Sequence, residues 1–190
     1  KSTQVPQFLL RAGFRSIACT QPRRVAAVAL ARRVARETLT EHSDEVAYQV
    51  RFESSRDARR TRVLFLTEGL LLRQLRSDPE LRRFDVVLVD EVHERHAAGD
   101  VLLALLRAVR RRRPGLRVVL MSATLDAPAF QGFFGGPAQC PLVRVPGRLW
   151  PVSVEHIPPR GLGDADVEAD AAAFDAAGRG RGGDAGPPAG

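Results

Sequence analysis

The residues of this 190-residue chain best suited to chemistry are two acids, Asp90 and Glu91, which directly follow the apolar run Val86-Val87-Leu88-Val89. A carboxylate at the C-terminal end of a buried strand sits where open α/β sheets bind their ligands. Asp90 could there hold Mg²⁺ through its water shell, and Glu91 could orient or deprotonate an attacking water. The same pair also suits an ordinary helix cap, and both readings stand at this point. A second element is Lys1-Ser2-Thr3, immediately ahead of a helical pattern. It has the form of the end of a phosphate-binding loop, G-x-x-x-x-G-K-[ST], whose lysine reaches the β- and γ-phosphates and whose hydroxyl takes Mg²⁺. A helix beginning there adds backbone N–H donors. Three residues alone are not specific.

Other charged strings have plainer readings. His93-Glu94-Arg95-His96 is one residue short of the H-E-x-x-H spacing that sets two imidazoles on one helical face, so no zinc site is expected. Arg110 to Arg113 precede Pro114-Gly115 and fit the last turn of a helix, where cations complement the dipole. Taken alone, Arg23-Arg24 fit a solvated helix face. Arg179-Gly180-Arg181-Gly182-Gly183 is a single RGG-like copy in an acidic stretch, and no binding is assigned to it.

The elements that must position these residues follow from periodicity. Short β-branched runs at Ile17 to Thr20, Arg62 to Thr67, Asp85 to Asp90 and Leu116 to Met121 are nearly continuously apolar, as in a parallel sheet covered on both faces. Helical patterns lie between them at Ser2 to Arg11, Pro22 to Thr38, Glu68 to Leu75, Val101 to Arg112 and Pro128 to Phe134. The alternation predicts an α/β three-layer sandwich with a mainly parallel sheet. Residues 161–190 hold eight Gly and nine Ala and read as a disordered tail.

Composition sets the outer bounds. With 44% hydrophobic and 27% charged residues, the chain is neither fibrous nor disordered throughout. The net charge of +7 divides into −4 on residues 161–190 and +11 on residues 1–160, a field that favours polyanionic partners. Of 29 basic residues 28 are Arg, and the single lysine is Lys1. Two cysteines, Cys19 and Cys140, make no disulfide framework and fit a reducing compartment. No stretch approaches a membrane span.

The string Asp90-Glu91-Val92-His93-Glu94-Arg95-His96 resembles motif II of the DEAH-box RNA helicases, in the D-E-V-H variant. Further strings follow in the family's order. Lys1-Ser2-Thr3-Gln4-Val5-Pro6-Gln7 resembles the end of motif I, and Thr20-Gln21-Pro22-Arg23-Arg24-Val25-Ala26-Ala27 resembles motif Ia. Tyr48-Gln49-Val50-Arg51-Phe52 is similar to the Y-x-V-R-F segment, Thr67-Glu68-Gly69-Leu70-Leu71-Leu72-Arg73 to motif Ib, and Ser122-Ala123-Thr124 to motif III. Val145-Pro146-Gly147-Arg148-Leu149-Trp150-Pro151 resembles the segment that leaves the first RecA-like domain. The details most resemble the helicase 34 branch, associated with nonsense-mediated mRNA decay.

The resemblance implies a RecA-like P-loop domain over residues 1–157, followed by the Gly/Ala-rich acidic tail at 158–190. It implies ATP and Mg²⁺ as cofactors and RNA as partner, held mainly by its backbone. Lys1, Ser2 and Thr3 would hold the phosphates, with Ser2 and Asp90 on the metal and Glu91 as base. His93, Ser122 and Thr124 would couple nucleotide state to domain movement, and Arg23, Arg24, Thr67 and Gly69 would grip RNA. RNP or decay-factor proteins are further implied partners, in the cytoplasm or nucleus. Because the chain opens on Lys inside motif I and shows no second RecA-like domain, it is expected to be a piece of a helicase with little turnover alone. The alternative is a non-catalytic isoform serving as an RNA- or protein-interaction module.

Overall fold

The computed structural model describes residues 1–38, 43–123, 127–147 and 151–155. A compact unit spans Lys1–Val143, and a second begins at Arg144. In the second unit, residues 144–147 and 151–155 are exposed and form neither helix nor strand. The tail at 158–190, including the RGG-like string, lies outside the described residues, as do Thr124 and Arg148-Leu149-Trp150.

In the first unit α1 (Gln4–Arg11) leads to β1 (Ile17–Gln21) and α2 (Arg24–Glu37). A short 3-10 turn, β2 (Val46–Val50), β3 (Glu53–Ser54), β4 (Val63–Thr67) and α3 (Glu68–Ser77) follow. The unit continues with β5 (Val86–Val89), a 3-10 turn at Val92–Glu94, α4 (Ala97–Arg112), β6 (Arg117–Leu120) and α5 (Ala127–Phe133). The sheet order is β3-β2-β4-β1-β5-β6. Every pairing is parallel except that of β2 with β3.

Register explains why the central strands are apolar at every position. Ala18, Leu64 and Val87 stand side by side, as do Cys19, Phe65 and Leu88 one residue further on. The first set packs with Leu71, Leu102 and Leu106 of α3 and α4. The second packs on the opposite face with Leu10 of α1 and Ala27, Ala31 and Val34 of α2. Successive strand side chains point to opposite faces, so helix cover on both sides leaves no solvated position. Each fully buried Leu, Ile or Phe contributes about 1.5–3 kcal/mol relative to exposure. The small Ala27 and Ala31, fully or almost fully buried, let α2 approach the sheet closely.

The three-layer expectation is borne out, and the differences have local causes. The sequence reading does not place β2, because only Ala47 and Val50 of Val46–Val50 are buried and no strict alternation results. It misses β3 because a two-residue antiparallel edge strand has no periodicity to detect. Helix α4 begins at Ala97, four residues before the apolar stripe, since its first turn, Ala97-Ala98-Gly99-Asp100, carries no large apolar side chain. Helix α1 ends at Arg11, and Gly13, two residues on, has a φ of +90° that turns the chain towards β1; a side chain there would be strained.

Candidate nucleotide site and nucleic-acid face

The parallel strands deliver their C-terminal ends to one edge, and the residues singled out for chemistry lie along it. Beyond β1 come Pro22, Arg23 and Arg24; beyond β5, Asp90 and Glu91; beyond β6, Met121 and Ser122; and β4 ends at Thr67, ahead of Glu68 and Gly69.

Asp90 is 1% exposed. A buried carboxylate is tolerated only when its oxygens are satisfied, and these are. Gln21 Nε2 donates to Oδ2 at 2.7 Å, and the Glu91 backbone N–H donates to Oδ1 at 3.0 Å. The Lys1 ammonium lies 3.4 Å from Asp90 Oδ1 and donates to Glu91 Oε2 at 2.8 Å. One lysine thus neutralises two acids that are 89 and 90 positions away in sequence. The Asp90 charge also reaches the strand beneath: burial first, then that charge, pushes the Cys19 thiol well above its ordinary pKa.

Glu91 has φ 54° and ψ 37°, and Arg95 is also left-handed at φ 51°. For non-glycine residues this is a disfavoured region, costing on the order of 1–3 kcal/mol each. The turn between them is braced by the Glu94 N–H donating to the Glu91 carbonyl at 3.0 Å and the Val92 N–H to the Met121 carbonyl at 3.2 Å. His93 Nδ1 is buried without a hydrogen-bond partner, 3.4 Å from Glu91 Oε2. Ser2, Gln21, Arg23, Glu91 and Glu94 line an open depression between the starts of α1 and α2. Thr3 precedes α1 without a side-chain cap, and its carbonyl accepts from Gln7 Nε2 at 2.9 Å.

The arginine pair splits. Arg23 faces the depression and lies 3.7 Å from Glu94 Oε2. Arg24 turns the other way and donates to the Arg51 carbonyl at 3.0 Å. Phe52, beyond it, is 90% exposed in a left-handed conformation, with the Arg51 guanidinium 4.8 Å from its ring centroid. Thr67 ends β4 and Gly69 stands exposed in the first turn of α3, with space around it. Sequence reasoning quoted Gln21 but gave it no role, although a polar residue closing a buried strand must find a partner. Glu94 and His96 stand in the motif II string and in a failed metal spacing but receive no role from the sequence, yet His96 Nε2 lies 2.6 Å from Glu94 Oε2. That hydrogen bond is the main cause holding the Glu94 carboxyl below its usual range. Among the described residues no cluster of three or more His, Cys, Asp or Glu could hold a metal ion. Nor is any helix among them long and apolar enough to cross a membrane.

The layered parallel sheet and the acids at the end of β5 define the RecA-like α/β class. No protein-family model matches the chain. It is 51% identical over 158 residues, 83% of its length, to the probable ATP-dependent RNA helicase DHX34 of Homo sapiens and equally to that of Mus musculus. This similarity supports the DEAH-box helicase family and the branch of these relatives, to which the motifs point. The chain spans about a seventh of their length, 14% and 13%.

Proposed function

We propose that the chain supplies the nucleotide-binding and hydrolytic half of an ATP-dependent RNA helicase that remodels RNA or RNPs in mRNA surveillance, with decay-factor proteins as partners, in the cytoplasm or nucleus. The observation that carries this reading is the single lysine bridging Asp90 and Glu91 at the sheet edge. An ammonium held by two carboxylates marks a place built for a cation beside an anion. When triphosphate enters, Lys1 Nζ leaves the acids for the β- and γ-phosphate oxygens, and the N–H groups at the start of α1 donate to the same anion. The donor chemistry also fits Mg²⁺: Asp90 keeps lone-pair capacity beyond its present bonds, and the Ser2 hydroxyl shares the depression with Glu91. Ser2 and Asp90 would hold the Mg²⁺, which would supply charge neutralisation at the phosphates. Gln21 fixes the Asp90 carboxylate plane, and Glu91, freed of Lys1, orients the attacking water and accepts its proton at the carboxylate.

His93 Nδ1, buried and 3.4 Å from Glu91 Oε2, supports a coupling role because it stands directly beside the proposed base. Ser122 and Thr124 join it in linking nucleotide state to domain movement. On the RNA side Arg24, Thr67 and Gly69, with Arg23 nearer the nucleotide, bind backbone phosphates without reading bases. The test is Glu91→Gln in the full-length protein. General bases contribute about 10²–10⁴-fold, so RNA-stimulated ATP hydrolysis falls about 100-fold or more while ATP binding persists. Equal rates refute the base, and salt-dependent RNA binding with no nucleotide dependence favours the interaction module.

A further inference from the structure

Between Thr67 and Gly69 stands Glu68, an acid to which the reading above gives no task. It opens α3 yet is only 8% exposed. Its Oε1 lies 2.9 Å from the place a Cβ on Gly99 would occupy. Gly99 is buried in the first turn of α4. The missing side chain at position 99 is therefore what lets the Glu68 carboxylate lie directly against that turn. Glu68, Glu91, Val92, His96 and Gly99 line one small cavity, so the start of α3 and the turn after β5 share an interior wall. His96 continues the contact through Glu94 at 2.6 Å, and Glu94 reaches Arg23 at 3.7 Å. Burial pushes the Glu68 carboxyl up; the nearby His96 pulls it back down, while Glu94 and Asp100 push the same way as burial.

We propose that Glu68 is a positioning residue that passes RNA occupancy at Thr67 and Gly69, where β4 turns into α3, to the hydrolytic turn from Asp90 to Arg95, through its seat on Gly99 and through His96. The inference rests on the ATPase and RNA roles proposed above. A phosphate drawn onto Thr67 and Gly69 bears on the first turn of α3, and Glu68 belongs to that turn. Its seat is the backbone of α4, which joins Glu91 through the short turn flanked by left-handed Glu91 and Arg95. Such a turn has little slack: displacement of the α4 N-terminus must be absorbed at those two residues, one of which carries the base.

The experiment compares wild type, Glu68→Ala and Gly99→Ala in the full-length protein, measuring ATP hydrolysis with and without a single-stranded RNA, RNA affinity, and thermal unfolding. Energetic coupling between sites is typically 5- to 150-fold. Both variants are therefore expected to lose about fivefold or more of the ratio of RNA-stimulated to basal rate, with basal rate and RNA affinity within about twofold of wild type. The double variant should lose no more than either single one, since both disrupt the same seat. A purely structural role would instead lower the basal rate and the unfolding temperature together and leave the ratio intact, which overturns the proposal. An unchanged ratio in Glu68→Ala overturns it while leaving the ATPase reading standing. A wild type without RNA stimulation removes that reading, and this inference falls with it.

Discussion

The two halves of the sheet edge solve opposite electrostatic problems. Beyond β1 and β5, Lys1, Asp90, Glu91 and Gln21 form a partly buried set in which each charge already has a partner. At the start of α2 and past the ends of β2 and β4, Arg24, Arg51, Phe52 and Gly69 are exposed, and the arginines contact a backbone carbonyl and a ring rather than acids. The first half binds by exchanging partners: a ligand must outcompete contacts that exist without it, which favours a multivalent anion arriving with its cation. The second half keeps hydrated positive charge, which suits a polyanion whose counterions are released on contact.

The sharpest way to break this contrast is Asp90→Asn. It removes one of the two acids under Lys1 and the proposed metal ligand, so ATP hydrolysis should fall by roughly 10²- to 10³-fold, comparable to loss of a preorganised charge-stabilising group. Steady-state ATPase rates check it. A residual rate near wild type would mean that Asp90 serves only to hold Gln21, Lys1 and the Glu91 N–H in place.

Stability separates the halves next. Gln21→Ala leaves Asp90 Oδ2 without its 2.7 Å donor at a 1% exposed site. Stranding a buried acceptor costs about 1–3 kcal/mol, so the urea midpoint should fall accordingly. Arg24→Ala on the exposed half should leave that midpoint within about 0.5 kcal/mol of wild type, as surface substitutions do. It should instead weaken RNA binding across all sequences and reduce the slope of log affinity against log salt by about one. A base-dependent loss would show that Arg24 reads sequence.

Much of the first half was legible in the sequence, and less of the second. Val86-Val87-Leu88-Val89 followed by Asp90-Glu91 announces both a buried parallel strand and where its acids emerge, because every position obeys one constraint, burial. Lys1 stands out as the only lysine among 28 arginines, and the geometry gives that singularity a place, between two carboxylates. Gln21 stayed without a role because its partner lies 69 positions away, a distance only the β1–β5 register closes. The turn carrying Arg51 and Phe52 was legible as a string but not as a surface, since β2 and β3 lack the periodicity that would place it at the edge. The different facings of Arg23 and Arg24 also could not be read, because they depend on where Glu94 and the Arg51 carbonyl arrive in space.

The smallest effect lies where the two halves are tied together, at the other end of α2. Glu37 accepts from Gln4 at 3.0 Å, from Gln7 at 2.7 Å and from Arg33 at 2.8 Å, locking α1, whose start is the proposed phosphate site, to the helix that begins at Arg24. The hydrogen bond from Arg33 first, and that from Gln7 next, hold its carboxyl below the usual glutamate range. A carboxylate whose folded pKa is depressed contributes stability that is present above the unfolded value, about 4.3, and is lost as pH falls through the folded value. Glu37→Gln should therefore be less stable than wild type near neutral pH, by less than Gln21→Ala, because a solvent-facing carboxylate is screened. The gap should close as pH drops below about 4. Thermal unfolding of both proteins between pH 7 and pH 3 checks it. A gap that stays constant with pH would mean that the clamp works through shape alone and that charge plays no part in joining the nucleotide half to the RNA half.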